Sequence, residues 1–440
     1  MSENVWSTWG HRHDAEPNRV FKPRSVAEAQ DLIKQVAASG GQIKVVGASR
    51  SSSAIAQPTD TMLSLDNLVG LTGVSPDHKQ ATFLAGTTVQ HANKALATYG
   101  LAFENLGRLG QQTLAGAVST GTHGTGLGFG IMPTQVTALT LLTSTGELVE
   151  CSAERNPEIF RAALVGLGAL GILTSITFRV VPSFRIHASE RARDFNEIVP
   201  TFIDRSRGSD HYEFSWFPDG TQVRTRRLTR LPLLTEGFME PSALISQARR
   251  HGRDYALNNG IFEVMNFVAT RAPSSQKLLN KVSNLTSGNR RYADLSPTVF
   301  ILNRTVRQNN MEYAFDLQVF EELMKDLKKH LEKQKVHAGY PIVVRTAAAD
   351  DIPLSQAYGR ETVFISAREY WRQPFEEYFT GLESVFKDYG GRPHWGQMHS
   401  LDAADLEKLY PEFSAFTSLR EEMDPDGLFL NPYLRKVLLP

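Results

Sequence analysis

Apolar positions first fall on a helical period at Val26, Ala29, Leu32, Ile33 and Val36. Ser25 and Glu28 stand just before them in Ser-x-x-Glu spacing, a capping box, so a helix is expected to run to Ser39-Gly40-Gly41. A short strand, Gln42 to Val46, then runs directly into Gly47-Ala48-Ser49-Arg50-Ser51-Ser52-Ser53. Met62 to Leu65 and Ala81 to Ala85 read as a strand pair, and Val89 to Tyr99 as a helix closed by Gly100. Six glycines lie between Gly116 and Gly130, interleaved with Ser119, Thr120, Thr122, His123 and Thr125, and read as a loop. Gln135 to Leu142 and Glu147 to Cys151 form a predicted hairpin around Ser144-Thr145-Gly146. Pro157 to Leu164 is helical, and Ile172 to Val181 is a β-branched strand stopped by Pro182.

Beyond Pro182 the pattern changes. Aromatic residues, Arg and Pro become denser, and strands alternate with longer helices. The clearest helix is Asp316 to Lys335, where Phe320, Leu323, Met324, Leu327 and Leu331 share one stripe. Residues 183–400 are therefore expected to form a second domain behind a first at 1–182. The last segment, 401–440, holds a helix and the turn Asp424-Pro425-Asp426-Gly427.

Composition narrows the function classes. Lys plus Arg equals Asp plus Glu at 47 each, so no net field draws in nucleic acid or an anionic membrane. The most apolar stretch, Ala162 to Leu173, is 12 residues long with three glycines, well short of the roughly 20 needed to span a bilayer. The polar run Met1 to Pro17 lacks the apolar core of a signal peptide, and a cytoplasmic location is the expectation. One cysteine, Cys151, rules out an internal disulfide framework or a multi-cysteine metal site. The histidines His11 and His13, and His394 and His399, have no metal-ligand spacing, so no metal is expected.

Gly166-x-Gly168-x-x-Gly171 imitates a dinucleotide fingerprint, but the order is reversed. Here a helix precedes it and a strand follows, so no helix N-terminus would meet a pyrophosphate. The segments Gly47 to Ser53 and Gly116 to Gly130 carry better chemistry. Small residues admit a ligand close to the backbone, and successive N–H groups make anion-binding concavities. Two such segments on one α/β unit point to a pyrophosphate held from both sides.

Several motifs carry a resemblance over nearly the whole length. They include Asn105-Leu106-Gly107, Gln112 through Gly126, Val165 through Gly171, Phe214-Ser215-Trp216-Phe217-Pro218, Met311-Glu312-Tyr313, Gly391-Arg392-Pro393-His394-Trp395-Gly396 and Asn431-Pro432-Tyr433-Leu434-Arg435. On these the chain resembles the flavin-dependent aldonolactone oxidoreductases and the related alditol oxidases. The resemblance implies an α+β fold, a vanillyl-alcohol-oxidase/PCMH-type FAD-binding domain with a cap domain of antiparallel sheet plus helices. It implies FAD as cofactor, with hydride passing from a CH–OH substrate to flavin N5 and on to oxygen or another electron acceptor. The residues implied around the cofactor are Gly47, Ala48, Ser49, Arg50, Ser51, Ser52, Gly116, Ser119, Thr120, Gly121, Thr122, His123, Gly124, Thr125, Gly171 and Ile172. Asn431 and Tyr433 are added from the C-terminal segment.

Three departures from that family matter. Its covalent members bond flavin to a histidine in a Gly-x-x-His-Ser loop, and Arg50 stands there instead, so non-covalent FAD is expected. Many relatives carry a Glu two residues before the arginine matched by Arg345, and a Lys after His-Trp-Gly. Val343 and Gln397 occupy those positions. Arg345 is then expected to lack a local acid and to be free for a substrate carboxylate or oxyanion, with Gln397 beside it. His394 and His399 are candidate bases, and Glu312 a weaker one. The paired loss points to a non-standard, polar substrate; the alternative is a flavin-binding protein without turnover.

Overall fold

A computed structural model describes residues 5–233, 252, 262–271, 276, 280, 288–302, 305–336 and 338–440. In the first half Arg19–Phe21, Thr61–Ser64 and Ile43–Val46 form a parallel sheet, with Thr61–Ser64 central. A second, antiparallel sheet runs Leu148–Ser152, Val136–Leu142, Ile172–Arg179, Gln80–Leu84, Leu71–Val74. The expected pair of strands near Met62 and Ala81 is thus split between two sheets. Both strands exist, but each finds its partners elsewhere.

The Ser25 hydroxyl accepts from Glu28 N–H and caps helix Val26–Ala38, as the spacing predicts. Glu28 reaches back one residue further than a capping box requires, to Arg24 N–H. The expected loop after Gly116 in fact starts inside a short helix, Leu114–Ser119, whose cap is the Thr113 side chain. Pro182 does not end the strand run outright. It closes a two-residue strand, Val181–Pro182, paired with Leu101–Ala102.

The second half is built on one eight-stranded antiparallel sheet. Its order is Arg290–Leu295, Phe184–Asp194, Gln222–Pro232, His211–Trp216, Ile342–Ala347, Thr362–Tyr370, Gln308–Asp316, Arg392–Pro393. Side chains alternate across a strand, so one face takes Phe214 and Trp216 and the other takes Glu213 and Ser215. Helices cover the aromatic face: Phe202, on helix Phe195–Arg207, lies 4.7 Å from the Phe320 ring and 5.2 Å from Phe214. Helix Phe320–Gln334 buries the predicted stripe Phe320, Leu323, Met324, Leu327 and Leu331 against it. At about 1.5–3 kcal/mol per buried large apolar side chain, that stripe alone anchors the helix.

The polar face looks toward the first half. The glycine-rich segment docks there, Gly126 N–H donating to Thr346 O and Ala348 N–H to Phe129 O, both at 2.9 Å. The chain's end returns to the first half as well. Ile43 N–H donates to Leu428 O, and the Asn431 amide donates to Ala54 O and Gln57 O.

Candidate active site

Between the two halves lies a cavity of about 1530 Å³, its open mouth included. One end is a cradle of small residues. The loop Gly47 to Ser51 leaves strand Ile43–Val46, and Ser49 turns it through the left-handed region at φ 52°. Among the described residues, no protein acceptor meets the N–H groups of Ala48, Ser49, Arg50 and Ser51. Such a run of open donors binds an anion. Across the cavity stand Gly116, Ser119, Thr120 and Thr122, with Gly168, Gly171 and Ile172 beyond them. The walls are close: a Cβ on Gly47 would lie 2.4 Å from Thr113 Oγ1. This pairing of open N–H groups, hydroxyls and glycines fits the diphosphate of FAD.

Two cations flank the cradle. Arg50 lies over the Trp9 ring at 4.7 Å and bonds Gln111, and burial lowers its pKa. Lys44 is almost fully buried and donates to Phe429 O at 3.3 Å; burial, opposed by Asp424, lowers its pKa to about 7. Cys151 does not line the cavity, and the histidine beside this loop, His13, bonds the Ser52 backbone outside the lining.

The other end is the polar face of the large sheet. Gln308, Asn310 and Glu312 alternate along one strand, so all three point the same way. In register, Asn310 faces Arg368, and Glu312 faces Ser366, which also faces Val343 on the next strand. Glu312 is the hub. Its Oε1 lies 2.9 Å from His123 Nε2, and its Oε2 accepts from Arg345 Nη2 at 3.0 Å. Burial would raise this carboxyl's pKa, but His123 and Arg345 overcome that and hold it well below the ordinary value.

Both ring nitrogens of His123 face acceptors, since Nδ1 lies 3.0 Å from Gly124 O. A neutral imidazole has one N–H and satisfies one such contact. Burial lowers this imidazole's pKa, Glu312 opposes, and Arg345 adds to the fall. The two acceptor contacts are met together only when the His123–Glu312 pair carries an extra proton. The ring is further fixed by stacking on Phe364 at 3.6 Å.

His394 reads differently. Its Nδ1 accepts from Gly396 N–H at 3.1 Å, so its proton sits on Nε2. Burial, opposed by Glu312, lowers its pKa to about 4, which keeps it neutral at pH 7. It is therefore a donor into the cavity rather than a base. His399 is placed outside the wall, where Nε2 lies 2.7 Å from Tyr433 Oη, so its candidacy as a base is withdrawn.

Further along the same face, carboxylates bridge guanidinium groups. Glu213 meets Arg108 and Arg226, and Glu190 meets Arg224, Arg226 and Arg290. Both carboxyls are pulled down to about 2, because these cations outweigh the cost of burial.

The structure brings Gly47, Ala48, Ser49, Arg50, Ser51, Gly116, Ser119, Thr120, Thr122, His123, Gly171, Ile172, Glu312, Arg345, His394 and Gln397 into the lining of one cavity. It leaves Ser52, Gly121, Gly124, Thr125, Asn431 and Tyr433 off it, in supporting positions. Ser52 N–H donates to Gly396 O, and Thr125 Oγ1 to Tyr212 O. Gly121 and Gly124 give room to Gln356 and Asn105, whose side chains a Cβ would strike at 2.4 Å. The expectation that Arg345 lacks an acid is corrected: Glu312, two strands along the sheet, supplies it. Sequence reading missed Gln308, Asn310, Ser366 and Arg368. The signal was there, as polar residues at every second position of strands that are otherwise buried.

Residues 176–437 match the family described as D-arabinono-1,4-lactone oxidase, and residues 17–152 match an FAD binding domain. L-gulonolactone oxidase of Bos taurus is 31% identical over 439 residues, covering 98% of each chain. L-gulono-1,4-lactone dehydrogenase of Mycobacterium tuberculosis is 32% identical over 436 residues, 99% of each. A solved cholesterol oxidase from B. sterolicum superposes with a TM-score of 0.79 at 15% identity, over 99% of this chain and 96% of that one. That likeness shows a common α+β fold. With its sheet domain and cofactor domain both matched, the chain belongs to the D-arabinono-1,4-lactone oxidase family of FAD-dependent oxidoreductases.

Proposed function

We propose that this protein oxidises a polar, hydroxylated substrate at a CH–OH carbon, with FAD held non-covalently between residues 1–182 and the C-terminal segment 401–440. The observation that carries the reading is one cavity joining two features. At one end are the open N–H groups of Ala48 to Ser51; at the other is the buried Glu312–Arg345–His123 cluster.

Gly47 to Ser51 would hold the diphosphate with Gly116, Ser119 and Thr120, and Arg50 would add a cation. When bound, the flavin supplies the two-electron acceptor that takes the substrate's hydride. Residues 183–400 position the substrate. Gln397, Arg345 and His394 orient its oxygen: an N–H of neutral His394 and the Nε–H of Arg345 are aimed where negative charge develops. Among the described lining residues, no imidazole or carboxylate presents an open basic lone pair at neutral pH. Glu312 has both oxygens engaged, and His394 Nδ1 is taken by Gly396. The site therefore works by stabilising a developing alkoxide, with the hydroxyl proton passing to solvent water at the open mouth of the cavity and not to a poised side-chain base. Val343 and Gln397 stand where relatives carry a Glu and a Lys, which favours a substrate other than an ordinary sugar lactone. Oxygen or another small-molecule electron acceptor completes turnover.

The test is the absorption spectrum of the purified protein, then anaerobic mixing with polyols, lactones and hydroxy acids. Bleaching of the flavin band by one of them supports the enzyme, and a coloured protein that none bleaches supports a binder without turnover. Denaturation in acid should release all the yellow colour into the supernatant.

A further inference from the structure

His394 serves as a donor into the cavity only while its proton stays on Nε2. Nothing in a neutral imidazole enforces that; the tautomer is selected by what the other ring nitrogen meets. Here Nδ1 meets Gly396 N–H at 3.1 Å. That N–H belongs to the peptide unit joining Trp395 to Gly396. A peptide unit is planar, so whatever fixes its carbonyl oxygen also aims its N–H.

The oxygen of this unit is gripped twice, by residues that do not line the cavity. Ser53 Oγ donates to Trp395 O at 2.8 Å, and Tyr433 Oη donates to it at 3.3 Å. The Trp395 side chain is itself pinned, fully buried with Nε1 donating to Leu354 O at 2.8 Å and its ring stacked on Tyr410. The following unit is held in the same manner: Ser52 N–H donates to Gly396 O at 2.7 Å, and Gln397 N–H to His394 O at 2.8 Å.

The hydrogen of Tyr433 is free for this task. His399 Nε2 lies 2.7 Å from Tyr433 Oη, while His399 Nδ1 is buried with no partner among the described residues. A buried orphan N–H is rarer than a buried bare acceptor, so the His399 proton sits on Nε2 and donates to the tyrosine oxygen. The hydrogen bonds then run in one direction. His399 donates to Tyr433, Tyr433 to Trp395 O, Gly396 N–H to His394 Nδ1, and His394 Nε2–H points into the cavity. Burial lowers the pKa of both imidazoles to about 4, so at pH 7 each ring has a single proton to place.

We propose that Ser53 and Tyr433 are positioning residues for the reaction: by holding the Trp395–Gly396 peptide they lock His394 in the tautomer that aims Nε2–H at the substrate oxygen. The alternative tautomer would turn a lone pair toward the developing negative charge and convert a stabilising contact into a repulsive one. The proposal rests on the reading of His394 as a donor in a flavoenzyme and says what sets that donor. It also gives the cradle loop two duties. Its N–H groups from Ala48 to Ser51 are open to the cavity, and its end, Ser52 and Ser53, grips the peptides that carry His394 and Gln397.

The test reads the proton directly, from the imidazole nitrogen resonances of the holoprotein labelled with nitrogen-15 in histidine, with H394Q assigning the signals. In the parent, His394 should show a bare Nδ1 and a protonated Nε2 at pH 7. S53A and Y433F should each raise a minor Nδ1–H population, and S53A/Y433F a larger one. S53T/Y433F keeps a hydroxyl at the first grip and should match Y433F alone. Flavin reduction in anaerobic mixing should slow about tenfold or more in the double variant, as when the support of an active-site ligand is removed, with the substrate dissociation constant moving far less. A purely structural role would lower the melting temperature and leave the proton where it is. The proposal is overturned if the parent carries the His394 proton on Nδ1 or shared between the nitrogens, or if the double variant keeps the pure Nε2–H form. Should the double variant fail to fold, the two single variants decide, and an unchanged tautomer in both overturns it. A protein that no substrate bleaches would remove the enzyme reading, whereas the nitrogen resonances need no turnover and decide the tautomer by themselves.

Discussion

Glu312 and Arg345 stand 33 residues apart in sequence, yet Glu312 Oε2 accepts from Arg345 Nη2 at 3.0 Å with both side chains buried. The strand between theirs brings them together, since Ser366 pairs with Glu312 on one side and Val343 on the other. Because His123 takes the second carboxylate oxygen, one acidic group ties the glycine-rich segment of the first half to the sheet of the second. Cofactor cradle and substrate face are thereby held in one fixed relation.

That tie predicts a large penalty for E312Q. The amide cannot neutralise Arg345 or share the His123 proton, and breaking a buried pair from one side costs about 3–5 kcal/mol. Denaturant unfolding at pH 7 should show a loss of that size with an unchanged m-value. A loss under 1 kcal/mol would mean the carboxylate is not the hub described here.

Acid should weaken the fold through its buried histidines, a loss partly offset by Glu369 and Asp350, whose carboxyls burial raises to about 7 and about 6 so that the folded chain takes up those protons first. His211, His394 and His399 are all lowered by burial from 6.5 to about 4. Above pH 6.5 each is neutral whether folded or unfolded and contributes nothing to the pH dependence. Between 6.5 and 4 the unfolded chain takes up a proton that the folded chain refuses, so stability falls as pH falls, and the loss is complete below 4. At pH 5 each group accounts for about 2 kcal/mol, at 1.36 kcal/mol per unit. Unfolding free energies measured from pH 7.5 to 5 should fall less steeply in H399Q than in the parent, the removed imidazole accounting for about 2 kcal/mol of the difference at pH 5. Identical pH slopes in the two proteins would contradict the burial of this ring.

Much of this was legible in the chain. The Ser25 cap, the stripe from Phe320 to Leu331 and the Ser144-Thr145-Gly146 hairpin depend on local chemistry, and each stands where its spacing put it. The two small-residue segments were legible for the same reason. The partners of Arg345 were not. A sheet pairs residues by register, and nothing near Val343-Val344-Arg345 announces that Glu312 will lie across Ser366. His399 misled because its titratable ring says nothing about which way it faces; the fold turns it to Tyr433. Strand pairing also escaped for Thr61–Ser64 and Gln80–Leu84, since neighbours in sequence went to different sheets.

The cradle can be tested without a substrate. A Cβ on Gly47 would sit 2.4 Å from Thr113 Oγ1 and 3.2 Å from Thr113 Cγ2. Thr113 cannot retreat freely, because its hydroxyl accepts from Gly116 N–H and caps helix Leu114–Ser119. G47A should therefore copurify with little flavin while keeping its circular dichroism. Adding T113A removes the obstruction and also the cap, which is worth about 1 kcal/mol. The double variant should regain flavin but melt below the parent. If G47A alone keeps full flavin occupancy, the loop does not hold the diphosphate.

The pair Val343 and Gln397 bears directly on substrate charge. Val343 is buried between Ser215 and Ser366 in register, on the face that carries Glu312 and Arg345. V343E alone places a second carboxylate beside Glu312 with no new cation, so it should destabilise the fold by several kcal/mol, as an unpaired buried charge does. Q397K brings a cation to the same cavity wall. The double change should recover part of the lost stability and shift the site toward neutral ligands: sugar acids repelled by the new carboxylate, L-gulono-1,4-lactone oxidised faster than by the parent. Steady-state rates on the lactone, with gluconate titrated against the flavin band of each variant, read both effects at once. A double variant that turns over lactone no faster than the parent, yet is as stable, would place the limit on substrate choice in pocket shape and not in these two charges.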